Sequence, residues 1–305
     1  MARFTLNILG CGSAKPTPQH LPACQVLDFR DKLYMIDCGE GAQHTFAQMH
    51  LRPSRLNHVF ISHLHGDHFL GLLGLLSSMT LMGKEGEVVV HTFADGARII
   101  GDMMNYIDRH RSYELRFNII KVGHEVIYED NALRVSTLPL KHSVPAVGFL
   151  FEEKDKERHL RGDMADFHGI PVWQRAAVKG GADFVKPDGT VIPNSYLTTE
   201  PDPPVRYAYC SDTMPSERLI PLIEGVDWLY HEATYDSSRA DKARLYCHST
   251  AAQAAEVARR AQAKHLIIGH YSARYDTPEL LLREAQAIFP ATIAAAERQR
   301  LDLLR

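Results

Sequence analysis

The chain has 305 residues, of which 34 are Lys or Arg and 37 are Asp or Glu, so its formal net charge is −3. This balance excludes the globally basic composition of many nucleic-acid-binding proteins, although a local basic patch remains compatible with it. With 45% hydrophobic and 23% charged residues, the composition is typical of a folded globular chain and excludes a disordered one.

Strand-like segments rich in β-branched and aromatic residues recur along the whole chain. They cover residues 4–9, 32–36, 58–62, 87–92, 133–138, 206–210, 228–231 and 265–268. Helical patterns lie between several of them, at residues 71–82, 94–108 and 250–263, and the last begins with a Thr250-x-x-Gln253 capping box. This alternation predicts an α/β fold with layers of both kinds of element.

Two features of the composition indicate where the protein works. The longest apolar run, residues 69–83, is interrupted by serine and threonine and is shorter than the ~18–20 residues that span a bilayer, so we expect no membrane segment. The 5 cysteines are odd in number and form no Cys-x-x-Cys pair. Their pattern argues against a disulfide framework and favours a cytoplasmic location.

Residues 152–204 interrupt the alternation of strands and helices. Charged residues are dense at the start of this segment, and turn sequences rich in glycine and proline follow at 180–181, 187–189 and 201–204. A stretch of this kind with little core pattern favours an insertion that protrudes from a single domain spanning residues 1–305. The alternative is an ordinary surface loop region.

A polar cluster follows the third predicted strand. Residues two apart on an extended backbone project to the same side, so His63, His65 and Asp67 are expected to converge. Gly66 permits the turn that brings His68 alongside them. Three imidazoles and a carboxylate suit a borderline cation such as Zn²⁺. Because four ligands from one loop cannot all serve one tetrahedral ion without strain, the cluster predicts two ions with further ligands from elsewhere.

Three residues in matching contexts are candidates for those further ligands. His142, Asp212 and His270 each come just after a strand-like run. Active sites of α/β sheets lie at strand ends, so this shared placement favours a role in the same site over three unrelated polar residues.

The motif His63-x-His65-x-Asp67-His68 resembles the signature of the metallo-β-lactamase superfamily. Other elements, found in order along nearly the whole chain, narrow the resemblance to the ribonuclease Z family of tRNA 3′-processing endonucleases. These elements are Asp37-Cys38-Gly39-Glu40-Gly41, Lys141-His142-Ser143, Ser211-Asp212-Thr213, His231-Glu232-Ala233-Thr234, His248-Ser249-Thr250-Ala251 and Gly269-His270-Tyr271-Ser272-x-Arg274-Tyr275.

The resemblance implies a fold, an activity and a cofactor. The fold is the four-layer αβ/βα sandwich, and the activity removes the 3′ trailer from tRNA precursors by phosphodiester hydrolysis, leaving a 3′-OH on the tRNA and a 5′-phosphate on the trailer. Two zinc ions per chain are implied. One would be held by His63, His65, His142 and Asp212, and the other by Asp67, His68, His270 and the same Asp212.

The same resemblance implies roles for residues around the ions. Asp67 would accept or orient the proton of the attacking water, and His248, supported by Glu232, would protonate the leaving oxygen or hold a phosphate oxygen. Arg274 and Ser272 are candidates for binding the substrate, since a guanidinium can hold two phosphate oxygens. Asp37 is expected to orient a loop beside the ions, and His231 is either a packing residue or a direct participant.

The resemblance also implies partners. In ribonuclease Z an arm in the region of residues 152–204 binds the tRNA elbow, commonly across a homodimer, so we expect a tRNA-binding arm and a homodimer here. This chain departs from the usual arm at residues 169–175, where a tip rich in glycine and proline is expected, and from the usual basic run at residues 16–20.

Two alternatives stay open at this point. A phosphodiesterase of small or cyclic nucleotides from the same superfamily would use the same two ions, although the long insertion and His248 argue against it. A metal-binding RNA module without turnover is disfavoured by the full ligand set. The nitrogen and oxygen donors also admit Mn²⁺ or Fe²⁺ in place of Zn²⁺.

Overall fold

The computed structural model describes residues 4–304 and divides them into two compact units. Unit 2 comprises Asp130–Arg134 and Glu152–Pro204, and unit 1 comprises the rest of the described chain. Among the described residues, no helix is long and apolar enough to cross a membrane.

The strands alternate with helices along the chain, as the sequence predicts. In chain order the strands are β1 (Phe4–Gly10), β2 (Cys24–Phe29), β3 (Lys32–Ile36), β4 (Leu56–Phe60), β5 (Glu87–Thr92), β6 (Glu114–Ile119), β7 (Val126–Glu129), β8 (Leu133–Pro139), β9 (Val147–Glu153), β10 (His159–Leu160), β11 (Phe184–Val185), β12 (Val191–Ile192), β13 (Thr198–Thr199), β14 (Arg206–Cys210), β15 (Trp228–Glu232), β16 (His265–Gly269), β17 (Thr292–Ala294) and β18 (Arg300–Asp302).

The α-helices range from a single turn to a little over four turns. They are α1 (Ala42–Gln48), α2 (Gly66–Leu81), α3 (Ala94–Ile107), α4 (Gly162–Phe167), α5 (Val172–Lys179), α6 (Asn194–Leu197), α7 (Ala240–Leu245), α8 (Ala251–Arg260) and α9 (Glu279–Ile288). The predicted capping box is confirmed, because Thr250 Oγ1 accepts from Gln253 N–H and Gln253 Oε1 accepts from Thr250 N–H.

Two seven-stranded sheets form the body of the protein. The first has the order β18-β1-β2-β3-β4-β5-β6, and the second has the order β17-β16-β15-β14-β9-β8-β7. The central pairs β3/β4, β4/β5, β14/β15 and β15/β16 are parallel. Parallel strands are usually covered on both faces and read as continuous apolar runs, which is why these strands were recognisable in the sequence.

The two sheets face each other, and helices cover their outer faces. Between the sheets, the ring of Phe60 on β4 lies 5.4 Å from the rings of both Phe149 and Phe151 on β9. Helices α1, α2 and α3 contact one another or the first sheet, whereas α8 and α9 contact the second. The predicted four-layer αβ/βα sandwich is therefore confirmed.

All eight predicted strands and three predicted helices are present, with shifted ends. The largest shift is at α2, which was expected to begin at Gly71 and begins at Gly66. Asp67 and His68 therefore lie in the first helical turn, and the expectation that Asp67 sits on extended backbone is wrong. Ten strands were not predicted from the sequence. Two of them, β2 and β9, lie within the large sheets, β6, β7, β17 and β18 lie at the edges of those sheets, and β10, β11, β12 and β13 are the two-residue strands of unit 2.

Unit 2 has a small apolar core of its own, contrary to the expected lack of core pattern in this segment. Its fully packed members are Ala165, Ile170, Val178, Phe184 and Leu197. Three of them lie on the short helices α4, α5 and α6, Phe184 lies on β11, and Ile170 lies between α4 and α5. The residues are spaced too irregularly for a periodic pattern to be visible in the sequence.

A buried amide joins the elements of unit 2. The side chain of Asn194 donates to the carbonyls of Val178 and Ala182, at 2.6 and 2.8 Å, and accepts from the hydroxyl of Thr198. We expect Asn194→Ala to destabilise unit 2 by roughly 1–3 kcal/mol, because it leaves buried polar groups without partners. Hydrogen exchange should accelerate in α5 and α6 but not in β15, and the exposed Asn131→Ala is the control; unchanged exchange in α5 would contradict the expectation.

Candidate metal centre

The predicted site residues meet at the ends of strands from both sheets of unit 1. His63 and His65 follow β4, His142 follows β8, Asp212 follows β14 and His270 follows β16. The first turn of α2 adds Asp67 and His68. Strands of the two sheets end at the same edge of the sandwich, so side chains far apart in the sequence share one site.

The first group of side chains consists of His63, His65, His142 and Asp212. Their ligand atoms all lie within 4.8 Å of one another. His65 Nδ1 is 3.1 Å from His63 Nε2 and 3.2 Å from His142 Nε2. Both of those Nε2 atoms are 3.7 Å from Asp212 Oδ2. Three imidazole nitrogens and one carboxylate oxygen therefore face a common point.

The second group consists of Asp67, His68 and His270, which face the other oxygen of Asp212. Asp212 Oδ1 is 3.3 Å from His68 Nε2 and 3.1 Å from His270 Nε2. Asp67 Oδ2 is 3.5 Å from each of the same two nitrogens. The two oxygens of Asp212 thus face different groups, which is the arrangement expected of a carboxylate shared by two ions.

Two buried nitrogen atoms indicate that the site is suited to binding cations. His68 Nε2 and His270 Nε2 are shielded from solvent and have no hydrogen-bond partner, although each faces two carboxylate oxygens. An unpartnered buried polar group costs roughly 1–3 kcal/mol. Divalent cations bound between these nitrogens and oxygens would remove that cost, so the residues present fit metal ions of the zinc, manganese or iron class.

Hydrogen bonds behind the imidazoles fix the direction of each ring. Nδ1 of His142 donates to the carbonyl of Cys247 at 3.0 Å, and Nδ1 of His270 is 3.0 Å from the hydroxyl of Thr234. Nδ1 of His63 is 3.0 Å from the hydroxyl of Ser62. These contacts direct Nε2 of each ring into the site, as outer hydrogen bonds do for metal-binding histidines.

Asp37 holds His68 from behind. Its buried carboxylate accepts from Ser62 N–H, Ser62 Oγ and Tyr209 OH at 2.8–2.9 Å, and His68 Nδ1 lies 2.8 Å from it. The φ of Asp37 is 53°, a left-handed conformation that an aspartate adopts more readily than most residues. Asp37 therefore orients the ring of His68 and does not join either ligand group.

The two central aspartates are ionised. Burial alone would raise the pKa of Asp67, but its interaction with the facing imidazoles of His270 and His68 holds that pKa well below its usual range. Burial opposes ionisation of Asp212 in the same way, and the imidazoles of His270, His68 and His63 outweigh it and lower the pKa of Asp212. Both carboxylates therefore carry the negative charge that cations require.

His248 and Glu232 form a pair beside the first group. His248 Nδ1 is 2.8 Å from Glu232 Oε1, and Glu232 also accepts from Thr213 N–H and the hydroxyl of Thr234. Burial alone would lower the pKa of His248, but the charge of Glu232 raises it to about 9. His248 is therefore a proton donor at neutral pH in the absence of bound cations.

A cavity of about 570 Å³ opens over both groups. His248, Ser272 and Arg274, all singled out from the sequence, line it, and the guanidinium of Arg274 lies 5.3 Å from the centre of the Tyr235 ring. His231 is fully buried and does not line the cavity. The predicted residues that line this cavity are His65, Asp67, His142, Asp212, His248, His270, Ser272 and Arg274. His63, His68 and Glu232 are fully buried and, like His231 and Asp37, do not line it.

One contact in the site, from the loop after β1, was not predicted from the sequence. Ala14 N–H donates to Asp67 Oδ2 at 2.6 Å, and Ala14 has a φ of 65°. Lys15 and Tyr246 also line the cavity. A backbone donor has no signature in the sequence, so only the tertiary structure reveals this contact; the side chains of Lys15 and Tyr246 had no motif around them.

The chain is similar to known proteins over nearly its full length. It is 51% identical to the ribonuclease Z of Parabacteroides distasonis, with 99% of this chain and 100% of that protein covered. It is 48% identical to the ribonuclease Z of Porphyromonas gingivalis strain W83, with the same coverage. Residues 4–166 also match the sequence-family model of the anti-Pycsar protein Apyc1.

Solved structures share the fold. The short form of human tRNase Z has a TM-score of 0.69 at 22% identity, with 98% of this chain and 99% of that chain covered. YhfI of Bacillus subtilis, a metallo-β-lactamase fold protein, also has a TM-score of 0.69, at 14% identity and with 99% of both chains covered. The sandwich described above is therefore the metallo-β-lactamase fold.

The hydroxyl of Thr234 provides a test of the second group, because it contacts His270 Nδ1. We expect Thr234→Val to weaken one of two zinc-binding steps by ~10–100-fold while the other stays unchanged, since losing an outer hydrogen bond misorients a ligand ring. Chelator competition measures both affinities. The exposed Thr277→Val is the control, and two unchanged affinities in Thr234→Val would contradict this view of the site.

Proposed function

Because the chain belongs to the ribonuclease Z family, it is an endoribonuclease that removes the 3′ trailer from tRNA precursors, and we propose that the two ligand groups around Asp212 hold the zinc ions that this hydrolysis uses. The observation that carries the proposal is the shared carboxylate, whose two oxygens face separate sets of imidazoles. Incubating the purified protein with a tRNA precursor and mapping the cut tests the activity directly.

Each ion has a ligand set in the proposal. One zinc would be held by His63, His65, His142 and Asp212, and the other by Asp67, His68, His270 and Asp212. When bound, two such cations supply a water of lowered pKa and stabilise the attacking and leaving oxygens of a phosphodiester. The same donors accept Mn²⁺ or Fe²⁺, so metal analysis of the isolated protein identifies the native ion.

Asp67 is proposed to accept or orient the proton of the attacking water. Its carboxylate is ionised, lines the cavity and is held in place by Ala14 N–H at 2.6 Å. A carboxylate fixed in this way can take up a proton without first having to be oriented.

His248 is proposed to protonate the leaving 3′ oxygen, with Glu232 as its partner. The pair is joined by a 2.8 Å contact, and the His248 ring borders the cavity. Glu232 stabilises the charged imidazolium before transfer and keeps Nδ1 occupied, which leaves Nε2 for the substrate. Proton transfer to the leaving oxygen completes a tRNA 3′-OH and leaves the phosphate on the trailer.

Arg274 and Ser272 are proposed to bind a substrate phosphate next to the cut. Both line the cavity, and Arg274 is exposed to solvent. A guanidinium can hold two phosphate oxygens in one plane. Lys15, in the loop after β1, adds a second positive charge to the same cavity.

We expect His248→Ala to lower kcat for precursor cleavage by ~10²–10⁴-fold while two metal equivalents are retained, because a general acid contributes about that much. The pKa of about 9 also implies that the rate falls at alkaline pH as His248 loses its proton. Bound cations oppose protonation of His248 and therefore shift this alkaline decrease in rate to lower pH. The decrease in rate at alkaline pH should be absent from His248→Ala.

Single-turnover rates across pH measure both effects. The exposed His110→Ala controls for loss of a histidine elsewhere. A His248→Ala enzyme with wild-type kcat would remove this residue from the mechanism, and a variant that loses its metal would instead make His248 part of the metal site.

Unit 2 is proposed to be a substrate-binding arm, inserted at residues 152–204 in a single catalytic domain that spans residues 1–305. That segment carries ten acidic and seven basic side chains, so charge alone does not favour RNA. It also exposes large apolar and aromatic side chains: Phe167 at 79%, Val172 at 79% and Trp173 at 77%. We therefore propose that the arm holds tRNA by shape and stacking more than by charge.

The assembly and location are proposed by family analogy. We propose that the protein is a cytoplasmic homodimer in which the arm contributes to tRNA binding. The five cysteines, all described as free thiols, support a reducing compartment.

We expect Trp173→Ala to raise KM for a tRNA precursor by ~5–150-fold with little change in kcat, since stacking of a base on an aromatic ring is worth about 1–3 kcal/mol. Hydrolysis of a small phosphodiester should be unaffected, because the change is far in sequence from every residue of the metal centre. Trp173→Phe should restore most of the affinity, and Val185→Ala is the control. An unchanged KM in Trp173→Ala would contradict the stacking proposal.

A further inference from the structure

A third group of potential metal ligands lies outside the centre described above. Cys11 directly follows β1, His20 lies near the end of the following loop, and Glu297 comes from the chain after β17. Cys11 Sγ is 3.6 Å from His20 Nδ1 and 3.4 Å from Glu297 Oε1, and His20 Nδ1 is 3.1 Å from Glu297 Oε2. None of the three belongs to the groups around Asp212.

These distances match the edges of a tetrahedral site. Zinc binds sulfur at about 2.3 Å, imidazole nitrogen at about 2.0–2.1 Å and carboxylate oxygen at about 2.0–2.2 Å, which separates the ligand atoms by roughly 3.3–3.6 Å. The donors of the first group around Asp212 are 3.1–3.7 Å apart. The cluster of Cys11, His20 and Glu297 therefore has the spacing of the candidate centre itself.

The surroundings of the cluster hold the donors in place and leave one side accessible. Cys11 is fully buried, whereas the side chains of His20 and Glu297 are 14% and 16% exposed. Leu21 N–H donates to Glu297 Oε1 at 3.0 Å, and His20 N–H donates to Thr17 Oγ1 at 2.9 Å. The partly exposed side offers room for water as a fourth ligand.

We propose that Cys11, His20 and Glu297 bind one divalent cation of the zinc class, separately from the two ions at Asp212. A thiolate, an imidazole and a carboxylate together select a borderline cation over Mg²⁺ or Ca²⁺. Binding forms a sulfur–metal bond and releases the thiol proton to solvent, so no oxidant or reductant is involved. The competing description is a hydrogen-bonded trio of side chains without an ion.

A cation at this site would fix the conformation of the loop after β1, which contacts Asp67. Ser13 N–H donates to the Tyr271 carbonyl at 3.0 Å, and the next residue, Ala14, donates to Asp67. A cation at Cys11 and His20 fixes both ends of the segment that carries these donors, and Glu297 ties it to the end of the chain. The ion would thus be structural, and would act on the reaction only by positioning Asp67.

Sulfur-specific spectroscopy distinguishes this site from the other two ions. The ligand groups around Asp212 contain only nitrogen and oxygen donors, so a sulfur-to-cobalt charge-transfer band reports the Cys11 site alone. Titrating the metal-free protein with Co²⁺ is expected to produce this band, together with a third bound equivalent per chain. A saturated protein with no sulfur–cobalt band would overturn the proposal in favour of the hydrogen-bonded trio.

Substitutions identify the residues that produce the sulfur-to-cobalt band. Cys11→Ser is expected to abolish it and to reduce bound Co²⁺ from three equivalents to two, whereas Cys247→Ser, a change at the half-buried cysteine, should leave the band intact. His20→Ala, in a partly exposed loop, covers the case in which Cys11→Ser does not fold. Loss of a residue that only hydrogen-bonds to a metal ligand lowers metal affinity by ~10–100-fold. His20 is proposed to be a ligand itself, so His20→Ala should weaken the Co²⁺ affinity reported by the band at least that much. A band that is unchanged in both Cys11→Ser and His20→Ala would contradict the site.

Discussion

The carboxylate of Asp212 is the contact on which the rest of the site depends. It is nearly inaccessible to solvent, yet its two oxygens face two separate sets of imidazoles at 3.1–3.7 Å. A buried carboxylate without compensating charge would be strongly destabilising. The fold therefore has to bring His63, His142, His68 and His270 around it from four different elements, and the facing ends of two sheets provide the place where they meet.

A layer of hydrogen bonds makes that arrangement specific. Asp37 behind His68, Thr234 behind His270 and the Cys247 carbonyl behind His142 each bind the ring nitrogen that points away from the site. Burial and neighbouring imidazoles lower the pKa of His63, so that ring is neutral and available as a donor to a cation. The outer contacts thus decide ring direction and protonation together, and an altered outer residue is expected to change metal affinity before it changes the fold.

Charge is distributed differently in the two units. The cavity of unit 1 carries Lys15 and Arg274 beside the ligand groups, whereas residues 152–204 have an excess of acidic side chains and expose Phe167 and Trp173. A net charge of −3 is compatible with RNA cleavage if the basic residues act near the cut and the arm uses aromatic contacts. The chain's near balance of charges is therefore compatible with the proposed division of roles between the two units.

The sequence by itself determined the layers, the candidate ligand residues and the family, because strand propensity, motif spacing and residue chemistry are local properties. It identified His63 through His68, His142, Asp212, His248 and His270 from their own neighbours along the chain. It misjudged the start of α2, because periodicity does not distinguish an extended turn from a first helical turn at Gly66. Only the tertiary structure decided which oxygen of Asp212 faces which imidazoles, that Ala14 N–H holds Asp67, and that Cys11 and His20 meet Glu297 across more than 270 residues. Those contacts join atoms remote in sequence, and no short-range pattern encodes where two sheet edges meet.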